Sequence, residues 1–371
     1  MSRLTRADLD ALPAYVPGRS VADLARELGI AEAVKLASNE VPFGPLPGVP
    51  EAVAAAMSQS HRYPDMGVVE LRDRLAARYG VTPDRIVTGC GSVALAEHLA
   101  KATCLPGDEI VYSWRSFEAY PIISAGVGAT SIRVPNNPEH GHDLRAMAEA
   151  ITDRTRLAIV CNPNNPTSTA LPLDEIAAFI AEVPRHVAVI LDEAYCEFNT
   201  LDDPDASLDL LGKHPNLVLL RTFSKIYGLC GLRVGFALCG SEDFVRAVNQ
   251  VRQPFFCNAA AQAAAIEALR HQDAVAERVE RAVIARVEIE EELASMGISC
   301  AESQANFAWF DLPVPEGEEA TDVEAAVVRG LAERGVIVRA GGALGKAGAL
   351  RVTYGTPAQN RRFLAALREL V

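Results

Sequence analysis

Between about residues 80 and 240 the chain alternates short β-branched apolar runs with stretches of helical pattern, and no other feature of the sequence restricts its fold as much. The runs are RIVTG, EIVYS, TSIRVP, LAIVCN, VAVILDEA, NLVLLRTFS and RVGFALC. Most are near-continuously apolar rather than alternating, so both faces of the strands must be buried. The segments between them are long enough for the crossover helices that parallel strands require. The expected fold is α/β, with a mostly parallel central sheet forming a large domain.

After Arg252-Gln253-Pro254 the texture changes. An alanine-rich helical segment, NAAAQAAAIEALR, precedes a long charged one, AVAERVERAVIARVEIEEELASMG. Three strand candidates follow, NFAWFDL, GVIVRA and ALRVTYG, with helical stretches between and after them. This order predicts a smaller α+β domain joined to the first by a long helix, whose charged run from Glu277 to Glu292 should face solvent. The expected division is residues 1–30 as an N-terminal arm and part of the small domain, 31–255 as the large domain, and 256–371 as the interdomain helix and C-terminal small domain.

A formal charge of −13, from 35 basic and 48 acidic side chains, argues against nucleic acid or an anionic membrane as the main partner. Any anionic ligand must be held locally. The stretch MSRLTRADLDALPAY has no apolar core and does not read as a secretory signal, and no apolar run approaches the roughly 20 residues of a membrane span. A soluble, cytoplasmic protein is expected. The cysteines at 90, 104, 161, 196, 230, 239, 257 and 300 form no C-x-x-C pair and read as buried thiols. His140 and His142, in PEHGHDL, have no third ligand beside them and read as part of a polar turn, so no metal is expected.

The segment RTFSKIYGLCGLR holds Lys225 just beyond an apolar strand. Desolvation there favours the neutral amine, which can attack a carbonyl to form an imine. Thr222, Ser224 and Arg233 offer hydroxyls and a fixed cation for a phosphate. An imine lysine beside a phosphate anchor is the requirement of pyridoxal phosphate, PLP. A solvated loop lysine with a structural arginine explains this segment equally well.

Other segments separate the two readings. Asp192, in VILDEAYCEF, ends an apolar strand where a carboxylate needs a partner, and a protonated pyridine nitrogen would supply one. Tyr195 and Asn165, the latter in the proline-rich turn CNPNNPTS, could both reach the ring's phenolate oxygen. Each alone is also compatible with a cap, a core tyrosine or an ordinary turn. In RIVTGCGSVALAEHLAKA a Gly-x-Gly-Ser loop opens a helix, so backbone N–H groups and Ser92 could cradle a phosphate. The same loop spells Gly89-x-Gly91-x-x-Ala94, a variant of the dinucleotide fingerprint. That alternative needs an acidic residue at the carboxyl end of the next strand, and Glu109 stands at the wrong end.

In this order the segments resemble the fold-type I PLP-dependent aminotransferases, and within them the histidinol-phosphate and aromatic aminotransferase group. The resemblance runs through PAYVPG, KLASNEVPFGPLP, RYPD, TGCGS, WRSFEAYP, CNPNNPTS, LDEAYCEF, RTFSKIYGLCGLR, SQANF, VIVRA and LRVTYGT. It implies Lys225 as imine lysine and proton carrier, Asp192 on the pyridinium nitrogen, and Asn165 and Tyr195 on the phenolate oxygen. Gly91, Ser92, Val93, Thr222, Ser224 and Arg233 would hold the cofactor around its phosphate, Phe117 would stack on its ring, and Tyr63 would reach in from the other subunit of a homodimer. Arg351 would bind the substrate α-carboxylate, with Tyr15, Asn39, Asn165 and Arg339 around the substrate. The implied reaction is a ping-pong exchange between an amino acid and a 2-oxo acid.

Within that group, GCGSV, WRSFEAYP, NPNNPTST and SQANF look closer to actinobacterial aromatic amino acid aminotransferases, with 2-oxoglutarate as the expected acceptor. Val41, Phe43 and Phe256 lie in segments that could wall an aromatic pocket. Arg339 favours the alternative, a histidinol-phosphate aminotransferase, since its counterpart there can hold the substrate phosphate. A threonine-phosphate-type decarboxylase and a noncatalytic PLP-binding protein share the same frame. Phe117 and Ser168 depart from the tyrosine and glycine frequent at these positions.

Overall fold

The computed structural model describes residues 4–6, 10, 12, 26, 29 and 33–371. Strand β1 (Val34–Lys35) is followed by helices α1 (Val49–Met57) and α2 (Val69–Tyr79). The strand–helix alternation then begins with β2 (Ile86–Gly89), α3 (Ser92–Thr103), β3 (Glu109–Trp114), α4 (Ala119–Val127) and β4 (Thr130–Pro135). It continues through α5 (Leu144–Glu149), β5 (Thr155–Cys161), α6 (Leu173–Glu182), β6 (Ala188–Asp192), α7 (Leu208–Leu211), β7 (Leu217–Thr222) and β8 (Gly235–Cys239).

All seven apolar runs become strands of one sheet, in the order β2-β8-β7-β6-β5-β3-β4. Burial on both faces explains their near-continuous apolar character. Along β5, Ala158 and Val160 join one apolar cluster, while Leu157, Ile159 and Cys161 join the cluster on the opposite face. The outlying β4 is more exposed, and its run is correspondingly more polar.

Only β8 runs against the direction of the other six strands. Strands β2 to β7 therefore end at one edge of the sheet, and β8 begins there. Loops leaving six strands and the loop entering the seventh converge on that edge, where open α/β sheets bind ligands.

Helices α8 (Glu242–Val251), α9 (Ala259–Ala268) and the long α10 (Gln272–Ser295) lead out of this layer. The remaining elements are β9 (Phe307–Asp311), α11 (Ala320–Glu333), β10 (Val336–Ile337), β11 (Arg339–Ala340), β12 (Ala349–Thr353) and α12 (Pro357–Arg368). Strands β11, β12 and β9 form an antiparallel sheet, and β1 pairs in parallel with β10. Leu36 accordingly packs in the same core as Ile289, Phe310, Val352 and Phe363.

The charged run on α10 is not uniformly exposed. Arg278 and Arg286 are buried on its inner face. Arg278 donates to the carbonyls of Ile226 at 2.9 Å and Gly44 at 2.6 Å. Arg286 donates to the Ser303 carbonyl at 2.7 Å and to Thr200 Oγ1 at 3.1 Å. Buried carbonyls without a strand partner need such donors, which a count of charges along a helix does not reveal. Arg281 remains largely exposed beside Glu277.

The cysteines are all free thiols. Those at 104, 161, 196, 239 and 257 are buried, Cys230 and Cys300 are half-buried, and Cys90 is exposed because it lies in the turn between β2 and α3. No helix among the described residues is long and apolar enough to cross a membrane.

Candidate active site

A cavity of about 620 Å³ opens at the sheet edge where the strand ends converge, and the small domain forms its outer wall. Ser92, Val93, Phe117, Asn165, Asp192, Tyr195, Thr222, Ser224, Lys225, Arg233, Asn39, Arg339 and Arg351 all line it. Gly91 is not among the lining residues and immediately precedes Ser92. Tyr63 lies outside it, 80% exposed and stacked on Phe255 at 4.3 Å. Tyr15 falls outside the described residues.

Local backbone demands explain the phosphate-sized end. Gly91 precedes α3 with φ 81°, and a Cβ there would meet the Arg233 guanidinium. Gly235 pairs with Gly89 on one side and Thr222 on the other, and its missing side chain leaves room for the Ser92 amide, 2.6 Å from where a Cβ would sit. The amino terminus of α3, with its unpaired N–H groups, can therefore approach the β7–β8 connection closely. Arg233 Nη1 donates to Ser224 Oγ at 3.3 Å and to the Cys230 carbonyl at 2.9 Å. The Ser224 amide donates to Thr222 Oγ1 at 3.0 Å.

Two titratable groups face the middle of the cavity. Burial pushes the Lys225 ammonium down to about 8, assisted by the nearby positive charge of Arg351. Its Nζ donates to the Asn39 carbonyl at 3.3 Å. Burial also pushes Asp192 up to about 6, against the hydrogen bonds it accepts from Tyr120 Oη at 2.8 Å and the Ala194 amide at 3.2 Å. Each group is shifted toward its neutral form, because desolvation disfavours its charge.

The polar side chains nearby are oriented by one another. Asn39, held at φ 53°, donates from Nδ2 to Tyr195 Oη at 3.0 Å, which leaves the tyrosine hydroxyl its own proton to donate. Thr353 Oγ1 in turn accepts from the Asn39 amide at 2.9 Å. Arg351 Nη1 donates to Asn165 Oδ1, so the Asn165 amide nitrogen retains its own donors, and Arg351 Nη2 donates to the Ala37 carbonyl at 2.8 Å. Ser168 adopts φ 63°, the left-handed region that favours glycine.

At the outer end Arg339 and Arg351 stand opposite each other across β11 and β12. Arg339 Nη2 lies 3.2 Å from Glu118 Oε1. Sequence reasoning assigned no role to Glu118 or to Tyr120, although Tyr120 stands three residues after Phe117 at a helix start, a spacing that places both on one side. Their rings meet edge to face at 5.7 Å.

Val41, Phe43 and Phe256 do not wall this cavity. Val41 and Phe43 border a separate small one, with Phe43 facing Arg278 and Arg281, and Phe256 packs on Arg252. The apolar walls come instead from Phe117, Ala119, Ile122 and Ile123. His142 is buried beneath the site, its Nε2 within 2.7 Å of the Cys161 carbonyl and its pKa pushed down to about 4 by burial. Glu109 binds Arg154 at the far end of β3, away from the cavity.

Residues 31–367 match the family described as aminotransferase class I and II. An aromatic amino acid aminotransferase of Rhodococcus jostii is 45% identical over 365 residues, covering 98% of this chain and 95% of that protein. A protein of the same name from Corynebacterium glutamicum is 47% identical over 337 residues, covering 91% and 92% respectively. Among solved structures, histidinol-phosphate aminotransferase from Sinorhizobium meliloti, in complex with pyridoxal-5'-phosphate, superimposes with a TM-score of 0.88 at 28% identity, covering 100% of this chain and 98% of that one.

Proposed function

Because the chain belongs to the aminotransferase class I and II family, we propose that it is a PLP-dependent aromatic amino acid aminotransferase, exchanging an amino group between an aromatic amino acid and a 2-oxo acid, with 2-oxoglutarate as acceptor. The observation that carries the chemistry is the meeting in one cavity of a buried carboxylate, Asp192, and a part-buried amine, Lys225, each pushed by desolvation toward its neutral form. A protonated pyridine ring satisfies the first and an aldehyde consumes the second. The residues present therefore fit the group. When bound, PLP supplies a carbonyl that condenses with amines and a ring that withdraws electrons from the bonds at the attached carbon.

The chain's own groups divide the remaining work. Lys225 is the amine that would hold the cofactor's aldehyde, and from the same position it would serve as the base that moves a proton at the substrate carbon. Asp192 would hold the ring nitrogen protonated, and its bond from Tyr120 keeps the carboxylate oriented. Tyr195 and Asn165 keep donor protons that Asn39 and Arg351 leave to them, and would offer these to the ring's phenolate oxygen. Gly91, Ser92, Val93, Thr222, Ser224 and Arg233 would hold the phosphate end, and Phe117 would cover the ring. Arg351 pairs with the α-carboxylate, for which the guanidinium fork is suited.

The relatives at 45% and 47% identity support aromatic substrates, as do the apolar walls formed by Phe117, Ile122 and Ile123. The resemblance to a histidinol-phosphate aminotransferase structure and the presence of Arg339 favour the second reading. We place the enzyme in the cytoplasm as a homodimer. The exposed Tyr63–Phe255 stack, outside its own chain's cavity, supports a role for Tyr63 in a partner's site.

A half-reaction tests the assignment. The purified PLP-loaded protein is mixed separately with phenylalanine and histidinol phosphate, and the cofactor's visible absorbance is followed. Faster conversion by phenylalanine is expected. A preference for histidinol phosphate overturns the substrate assignment, and no response to either overturns the enzyme.

A further inference from the structure

Three buried side chains, Asn39, Thr353 and Tyr195, form a run of hydrogen bonds whose direction is fixed at one end. Thr353 ends β12 opposite Phe307 of β9, and its amide donates to the Leu36 carbonyl at 2.8 Å, so the small sheet places its hydroxyl. The Tyr195 ring meets the same Phe307 edge to face at 5.2 Å. The Asn39 backbone amide can only donate, and it donates to Thr353 Oγ1 at 2.9 Å. Thr353 Oγ1 then donates to Asn39 Oδ1 at 3.2 Å, its one acceptor among the described residues. That turns Asn39 Nδ2 toward Tyr195, where it donates to Oη at 3.0 Å. No acceptor among the described residues takes the remaining Tyr195 proton, and the tyrosine borders the cavity.

We infer that Thr353 is a positioning residue for the cofactor site: it holds the Asn39 amide with its nitrogen toward Tyr195, and so assigns the tyrosine proton to the cavity rather than to Asn39. This rests on the PLP reading above, in which that proton meets the ring's phenolate oxygen. An Asn39 amide turned end for end would present Oδ1 to Tyr195, capture its proton and aim the tyrosine's lone pairs at the phenolate. The amide itself does not oppose the turn, because its oxygen and nitrogen are nearly alike in size. Thr353 opposes it, since the turned amide would leave the buried threonine proton without an acceptor. Lys225 and Asn306 both donate to the Asn39 backbone carbonyl at 3.3 Å, a contact that the turn leaves unchanged. The effect of Thr353 is therefore separable from the contact Asn39 makes with the lysine.

The test follows the visible absorbance of the PLP-loaded enzyme as a function of pH. Donation to the phenolate oxygen favours the deprotonated form of the lysine-bound cofactor, in which that oxygen carries more charge, so loss of a donor raises the midpoint. Tyr195→Phe sets the full effect, about one pH unit upward. Thr353→Val keeps the shape, removes the hydroxyl and should give at least about half of that rise. Thr353→Ser should hold the wild-type midpoint to within about 0.3 pH units. In a Tyr195→Phe background the valine substitution should add nothing, because the proton it redirects is gone. The charged groups facing Lys225, which are Arg351, Glu40, Arg233 and Asp192, are the same in every variant and cancel from these differences. A Thr353→Val midpoint equal to wild type, an equal rise in Thr353→Ser, or a rise that persists with Tyr195→Phe overturns the inference. Thr353→Ala supplies the same comparison if the valine variant does not fold. A wild-type protein that gains no visible band with PLP overturns the cofactor reading, and this inference with it.

Discussion

At the end of the cavity nearest the central sheet, Ser92, Asp192, Thr222 and Lys225 stand at or just beyond three strand ends, each a few residues from an apolar run. At the outer end, Arg339 and Arg351 stand on two strands of the small sheet and meet Glu118, Asn165 and Ala37, which come from the chain's other half. The first end is assembled by sheet topology. The second is assembled by the packing of one domain on the other. A change at the inner end should therefore act on the chemistry, and a change at the outer end on which substrate is accepted.

The largest expected effect is at the inner end. Lys225→Ala should lower turnover by at least about 1,000-fold and abolish the absorbance band of the lysine-bound cofactor. Steady-state rates near wild type would break the catalytic assignment.

Stability should respond next, and in the opposite sense to activity. Asp192 has a folded pKa raised from 3.8 to about 6, so its contribution is fully present below the unfolded value and is lost as pH rises through about 6. Lys225, lowered from 10.5 to about 8, contributes above its unfolded value, and that contribution is lost as pH falls through about 8. Cofactor-free protein is thus penalised most between those two values. Asp192→Asn should stabilise it at pH 7, relative to pH 4, by up to about 3 kcal/mol in denaturant titrations while abolishing most activity. A difference that does not change with pH would remove the uncompensated carboxylate from the account.

Arg351→Gln probes the outer end. Its kcat/KM for phenylalanine should fall about 100-fold while the dissociation constant of PLP changes little. A matching loss of PLP affinity would erase the distinction between the two ends. The smallest effect is expected from Tyr63→Phe, which should weaken PLP binding about five-fold by removing one hydrogen bond. Equilibrium dialysis giving wild-type affinity would exclude Tyr63 from the site.

This contrast also explains what the sequence disclosed. Asp192 and Lys225 were legible because each follows a strand recognisable by its burial, and the sheet edge then brings them together. The seven runs predicted the strands themselves. Glu118 and Thr353 were not legible, because their significance lies in partners 221 and 314 residues away, and no periodicity encodes a contact between domains. The apolar walls were misplaced for the same reason: Phe43 has an apolar side chain, but its ring is occupied by Arg278 and Arg281. Ser168 shows the converse: its backbone is left-handed, at φ 63°, and nothing in its side chain announces that.

The long interdomain helix offers a final lesson in mutational tolerance. Arg278, Arg281 and Arg286 look interchangeable within one charged run, yet only the first and last are buried donors to backbone carbonyls and loop groups. In a scan of every substitution along this helix, the exposed Arg281 should accept nearly any residue. Arg278 and Arg286 should accept almost none, lysine included, because one ammonium cannot reproduce the forked reach to two acceptors. Two fixed arginines would then stand out among the charged positions of this helix, with Arg278 held because it supports Ile226, the residue immediately after Lys225.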